Sequence, residues 1–310
     1  MIKTDYYVVL AGGVGAAKFI EGLVTVVNPS QLIIIINTGD DIELFGLKIC
    51  PDIDIITYTL AGLVDKQKGW GYQEETFNCL NILKRFYNEG WFNTGDKDLA
   101  THIYRTDLFK QGYNKTEVTK KITKNLGVKA HLIPMCNEDV QTYIETDVGT
   151  MHFEEYYIKH QCKPKVKNII YQGIESANLP EIIPQYFKNA KKVIICPSNP
   201  IVSIGTILNV PGYREYLKQV KKKVYGISPI IQGATIKGPA DKLMESLGLD
   251  VSCVGVAKYY REFLGHFVID LKDWEQAEEI KKMGVKTSCF DTIMDSLKKK
   301  KELAQFIINL

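Results

Sequence analysis

Apolar residues along this chain gather into short, nearly continuous runs separated by longer mixed segments. Tyr6-Tyr7-Val8-Val9-Leu10 and Leu32-Ile33-Ile34-Ile35-Ile36 have strand length, and the second is rich in β-branched side chains, as expected of strands buried on both faces. Between them, Ala16 to Val27 reads as a helix with Phe19, Leu23 and Val27 on one face and Ile20 and Val24 beside them. The rhythm returns from Lys191. Val193-Ile194-Ile195-Cys196, Val224-Tyr225-Gly226-Ile227, Val251-Ser252-Cys253-Val254 and His266-Phe267-Val268-Ile269-Asp270 read as strands, and Leu297 to Ile308 as a closing helix. Such alternation predicts an α/β fold.

The stretch between the two series differs. It carries Trp70 and Trp91, many polar residues and a helical-looking Glu75 to Tyr87. Tyr143-Ile144-Glu145-Thr146, Asp147-Val148-Gly149-Thr150 and Met151-His152-Phe153 read as strand, hairpin turn and strand. We therefore expect one core spanning 1–310, interrupted at about 62–165 by an α+β insertion placed to cover the sheet edge.

Chemistry concentrates where predicted strands end. Asn37-Thr38-Gly39-Asp40-Asp41 follows the isoleucine run, and Cys50-Pro51-Asp52-Ile53-Asp54 follows shortly after. Open α/β sheets bind ligands at the carboxyl ends of strands, and converging carboxylates need a cation to relieve their repulsion. The same aspartates also suit turns and helix caps. At the first strand end, Ala11-Gly12-Gly13-Val14-Gly15 forms a glycine turn, with Lys18 one helical turn on. Gly12, Gly13 and Gly15 would admit a phosphate to the helix amides, and Lys18 would add a point charge. This turn is neither a Walker A loop nor a full dinucleotide fingerprint. Ser198, Asn199 and Ser203, in Pro197-Ser198-Asn199-Pro200-Ile201-Val202-Ser203, offer hydroxyls and an amide to phosphate oxygens. Ordinary turn chemistry explains them equally well.

Composition narrows the class. Among 310 residues, 45% are hydrophobic and 24% charged, with a net charge of +3, which gives no basis for nucleic-acid binding. Seven cysteines without Cys-x-x-Cys spacing argue against a disulfide framework and a zinc site, and for a reducing compartment. No apolar run reaches a membrane span and no signal-peptide pattern opens the chain. A cytoplasmic protein is expected.

In order, the motifs Ala11-Gly12-Gly13-Val14-Gly15, Asn37-Thr38-Gly39-Asp40-Asp41, Pro51-Asp52-Ile53-Asp54, Gly69-Trp70-Gly71, Gly95-Asp96-Lys97-Asp98-Leu99-Ala100-Thr101-His102, Met151-His152-Phe153, Pro197-Ser198-Asn199-Pro200 and Gly238-Pro239-Ala240 span nearly the whole chain. This ordered set resembles the 2-phospho-L-lactate transferase family, which builds a deazaflavin coenzyme. The resemblance implies a Rossmann-like core, with a mostly parallel sheet, helices on both faces and a smaller inserted α+β subdomain, usually in a homodimer. It also implies a reaction. A guanosine diphosphate-linked three-carbon acid gives its phospho-acyl unit to the terminal ribityl hydroxyl of a deazaflavin precursor, releasing GMP. Asp41 and Asp54 would hold Mg²⁺ and act as the catalytic pair, with Asp54 orienting or deprotonating the hydroxyl. Asp54 and Asn93 would contact the acceptor. Gly12, Gly13, Gly15, Lys18, Ser198, Asn199 and Ser203 would hold the nucleotide phosphates. Trp70 would stack on the deazaflavin ring or serve the core or a hinge.

Three positions depart from the family pattern. Asn93 stands where a basic residue is common, Cys196 replaces a glycine, and Val14 with Ala16-Ala17 varies the glycine turn. Two other readings compete. A related Rossmann-like family of UDP-sugar-binding regulators typically runs from its acidic motif into a glycine- and serine-rich segment, where this chain has Ile42-Glu43-Leu44-Phe45-Gly46. A nicotinamide dehydrogenase would need a fuller glycine fingerprint.

Overall fold

The computed structural model describes residues 6–87 and 90–310. In chain order the strands are β1 Tyr6–Ala11, β2 Leu32–Ile36, β3 Ile42–Leu44, β4 Leu47–Ile49, β5 His131–Pro134, β6 Gln141–Thr146, β7 Gly149–His152, β8 Val166–Gln172, β9 Ala190–Ile195, β10 Val224–Ile227, β11 Ile230–Ile231, β12 Ala234–Thr235, β13 His266–Asp270 and β14 Lys286–Phe290. The helices that shape the site are α1 Gly13–Leu23, α2 Pro51–Leu60, α3 Asn78–Leu83, α4 Asp96–Lys110 and α5 Lys115–Asn125.

Seven strands form the central sheet in the order β14-β13-β10-β9-β1-β2-β5. Every pairing in it is parallel. Because β1 and β2 are apolar at every position, successive side chains feed two cores. Val8, Leu10, Ile33 and Ile35 pack on one face, and Val9, Ala11, Leu32, Ile34 and Ile36 on the other. All of these are fully buried, the condition under which a parallel sheet is stable. The strand order reverses between β1 and β9, so the loops after those two strands open away from each other and leave a crevice.

The predicted α/β class and doubly wound sheet are therefore present. Several element assignments differ. Val251 to Val254 is not a strand: Ser252 caps the helix Cys253–Tyr260, its Oγ accepting the Gly255 amide at 3.0 Å, and local capping outweighs two valines. The predicted helix at Glu75 to Tyr87 contracts to α3. The stretch 62–165 is not spatially one insertion, because β5 within it pairs with β2 in the central sheet. From the rest of it, Asp98 and His102 of α4 and Phe153 and Glu154 after β7 line the crevice, while β6 and β7 join β8, which lies beyond that stretch, in a separate antiparallel sheet. The hairpin expected at Asp147 to Thr150 joins β6 to β7, with Tyr143 opposite His152.

Candidate functional site

A cavity of about 780 Å³ lies at the strand-order reversal. Gly12, Gly13, Gly15 and Lys18 from the first turn and Ser198, Asn199 and Ser203 from the loop after β9 line its floor. Asp40, Asp52, Asp54, Asp98, His102 and Glu154 also reach it. Trp70, Tyr72, Phe77, Phe92 and Tyr157 form an aromatic wall.

The glycine turn is built by close approach. A Cβ on Gly12 would sit 2.7 Å from Asp52 Oδ2 and 2.8 Å from Ser203 Cβ, so no larger residue fits between the two loops. The Gly13 amide at the head of α1 is already engaged, donating to Asp52 Oδ1 at 2.7 Å. Asn37 Nδ2 donates to Asp52 Oδ2 at 2.9 Å. Asp52 thus joins the ends of β1 and β2 to the first turn of α2. Burial pushes its carboxyl up to about 6, against the pull of these hydrogen bonds. Ser198 Oγ accepts the Gly12 amide at 3.4 Å. Asn199 Oδ1 accepts the amides of Ile201 and Val202 at 2.9 and 3.3 Å, so its carbonyl is committed to the loop itself. Lys18 lines the cavity, its pKa lowered by burial and by Lys237 and Lys300.

α2 begins with Pro51 and carries Asp52 and Asp54 in its first turn, a placement favoured by the helix dipole. Two residues apart, the carboxylates point to different partners. Asp54, 5% exposed, meets Arg105, whose Nη1 donates to Oδ2 at 3.0 Å while Nη2 contacts Oδ1. Burial raises the Asp54 carboxyl, while Arg105 and His102 oppose the rise. A guanidinium held in this fork favours the carboxylate against the rise that burial causes. Asp98, His102 and Arg105 share one face of α4 at spacings of four and three residues. His102 Nε2 lies 3.2 Å from Asp98 Oδ2, and the Tyr58 hydroxyl donates to Asp98 Oδ1 at 2.6 Å.

The expected pairing of Asp41 with Asp54 is not found. Asp41 Oδ2 lies 2.8 Å from Lys115 Nζ on α5, in a buried ion pair, and Asp41 is not among the residues lining the cavity. Each of these two carboxylates therefore has its own cation. Asp54, Asp98 and His102 do bring ligand atoms within 4.8 Å of one another, and Arg105 already pairs with the Asp54 carboxylate of that group. Asp40 is different. It is 4% exposed and, unlike Asp41, lines the cavity and has no lysine beside it among the described residues, although both aspartates keep a buried Oδ1 without a hydrogen-bond partner. Burial, then Asp52 and Glu154, raise its carboxyl well above the usual range. Glu154, 6% exposed, is pushed up to about 8 by burial and by Asp52. A divalent cation would relieve Asp40 directly.

Asn93 lines the cavity as an exposed residue beside Phe92. Trp70 is 42% exposed on the aromatic wall, which removes the core role considered for it. Sequence reasoning did not single out Arg105, His102, Asp98, Tyr58 or Glu154 as site residues. The first three carry a helical spacing signal; Tyr58 and Glu154 carry none.

The reversed seven-stranded parallel sheet, with a cavity at its switch point, defines a doubly wound α/β protein of the ligand-binding type. The chain belongs to the 2-phospho-L-lactate transferase CofD family, whose model matches residues 7–306, and it is an enzyme, a transferase. It is 37% identical over 301 residues to the 2-phospho-L-lactate transferase of Methanosarcina mazei, covering 97% of this chain and 99% of that one. It is 38% identical over 303 residues to that of Methanosarcina acetivorans, covering 98% of each chain. The phosphoenolpyruvate transferase of Streptomyces griseus is 37% identical over 293 residues, covering 93% of this chain and 92% of that one. In structure, the chain resembles a member of the upf0052 family from Bacillus halodurans, with a TM-score of 0.66 at 15% identity, covering 99% of this chain and all of that one. This likeness concerns the fold. Among the described residues no helix is long and apolar enough to cross a membrane.

Proposed function

We propose that the protein moves a phospho-acyl unit, 2-phospho-L-lactate or a related three-carbon acid, from a guanosine diphosphate-linked donor to the terminal ribityl hydroxyl of a deazaflavin precursor, with GMP leaving. The observation that carries this reading is the shape of one continuous cavity. It runs from the glycine turn and the Ser198–Ser203 loop, suited to phosphates, past Asp54 to a wall of Trp70, Tyr72, Phe77 and Phe92, suited to a flat ring. Membership of the family and the names of its relatives support the same chemistry.

Breaking a diphosphate linkage depends on charge neutralisation and in-line positioning more than on covalent help. Lys18 and the Ser198 and Ser203 hydroxyls would hold the donor phosphates. Asp54, held in the Arg105 fork, would accept the hydrogen bond of the attacking hydroxyl and aim it. Burial raises the carboxyl despite Arg105, so the same group would also take the hydroxyl's proton as attack proceeds. Magnesium fits best against Asp40, since it is commonly bound by one or two carboxylates with substrate phosphates completing the shell. When bound, it would neutralise the charge on the leaving phosphate. The same reading carries the expected homodimer and cytoplasmic location.

The test is direct. Purified protein, magnesium, a deazaflavin precursor and each of two guanosine diphosphate-linked donors, carrying phospholactate or phosphoenolpyruvate, are combined and the products weighed by mass spectrometry. Stoichiometric GMP is expected, with the deazaflavin carrying the three-carbon acid through a phosphodiester. Retention on uracil nucleotides without turnover would instead favour the regulator.

A further inference from the structure

Behind the cavity, α4 carries a buried polar group that family membership does not explain. Arg105 and His102 are each 1% exposed. Arg105 Nη1 donates to Asp54 Oδ2 at 3.0 Å and lies 3.0 Å from His102 Nδ1. It also donates to the Lys48 carbonyl on β4 at 3.4 Å. A guanidinium has donors and no acceptor. His102 Nδ1 must therefore be the acceptor, and the ring's proton lies on Nε2, which faces Asp98 Oδ2 at 3.2 Å. The other Asp98 oxygen takes the Tyr58 hydroxyl. One buried cation thus fixes Asp54 directly and the His102 ring beside it, while His102 Nε2, 3.2 Å from Asp98, is not aligned for a hydrogen bond.

We infer that Arg105 and His102 are positioning residues for the transfer, a rigid clamp that aims Asp54 at the acceptor hydroxyl. The kinetic part of this inference rests on the function proposed above; the tautomer does not. A salt bridge made only for stability is often no better than apolar packing. Here a fork fixed from behind holds one carboxylate in one orientation, and a displacement of about 1 Å in such a group costs on the order of 10²-fold in rate.

Nitrogen-15 NMR of the histidine rings, with His102 assigned by the signal lost in His102→Gln, reads the tautomer in the wild-type protein. A neutral ring protonated on Nε2 at neutral pH is expected. A ring protonated on Nδ1, or on both nitrogens, overturns the clamp whatever reaction the protein performs. In kinetics, Arg105→Lys keeps the charge and loses the fork, and kcat should fall about 10²-fold with little change in either KM. The double variant Arg105→Lys/Asp54→Asn should be no slower than Asp54→Asn alone, because Arg105 acts through Asp54. Losses that multiply would reduce Arg105 to a structural role. Rates are compared below the melting temperature of the least stable variant. A wild type inactive with both donors would count against the proposed function, and the tautomer would then decide the clamp alone.

Discussion

Asp52 Oδ1 accepts the Gly13 amide at 2.7 Å across 39 residues of sequence, so an acid from α2 stands at the head of α1, where an anionic ligand is expected to bind. The protein supplies its own anion there, and the turn is held before any substrate arrives. Asp52→Ala would orphan the Gly13 amide and Asn37 Nδ2, both of which it now satisfies. A loss of about 1–3 kcal/mol per buried donor is expected, read as a lower urea midpoint, together with weaker nucleotide binding by calorimetry. Unchanged stability would mean that Asp52 does not organise the turn.

Asp54→Asn should lose turnover and stability together. The substitution removes the charge facing a fully buried Arg105, and leaving one partner of such a pair alone costs about 3–5 kcal/mol. The loss in kcat should be on the order of 10²-fold or more, measured where the variant remains folded. A variant that melts early but turns over normally would take Asp54 out of the active site.

Stability should fall as pH rises through the neutral range. Glu154 titrates at about 8 in the folded protein against an ordinary 4.5, so the folded state binds more protons than the unfolded chain across that interval. Its contribution is full below 4.5 and is lost as pH passes through about 8. Asp52 acts in the same sense up to about 6, while His152, pushed from 6.5 down to about 4 by burial, acts in the opposite sense below 6.5. Above 6.5 only the raised carboxyls remain. The thermal midpoint should drop by a few degrees between pH 6.5 and 8, an order of magnitude set by pKa linkage, and Glu154→Gln should flatten the slope. A level or rising wild-type curve there would contradict this assignment.

Magnesium alone should raise the thermal midpoint by binding the folded state, and a chelator should reverse the effect and stop turnover. Asp40→Asn should abolish the magnesium response, whereas Asp41→Asn should retain it while destabilising the Lys115 contact. The reverse result would return the metal to Asp41.

The alternation of apolar runs and glycine or aspartate turns fixes most of this architecture locally. Leu32 to Ile36 can only be buried on both faces, and the ordered motifs place the family. The sequence also brings Gly12, Asp40 and Ser198 to one ligand-binding edge, because strand ends in a parallel sheet face the same way. It could not choose between Asp40 and Asp41. They are adjacent, and only the packing of α5 decides that Lys115 takes Asp41 while Asp40 faces the cavity. Nor could it pair Arg105 with Asp54, 51 residues apart, because α4 has no strong apolar stripe and its meaning lies in what it is folded against. Edge strand β14, half exposed with Lys286, Thr287 and Ser288, escaped notice for the same reason. Local chemistry determines which segments are buried and which turn; which charge meets which cation is a long-range contact, and only the tertiary structure supplies it.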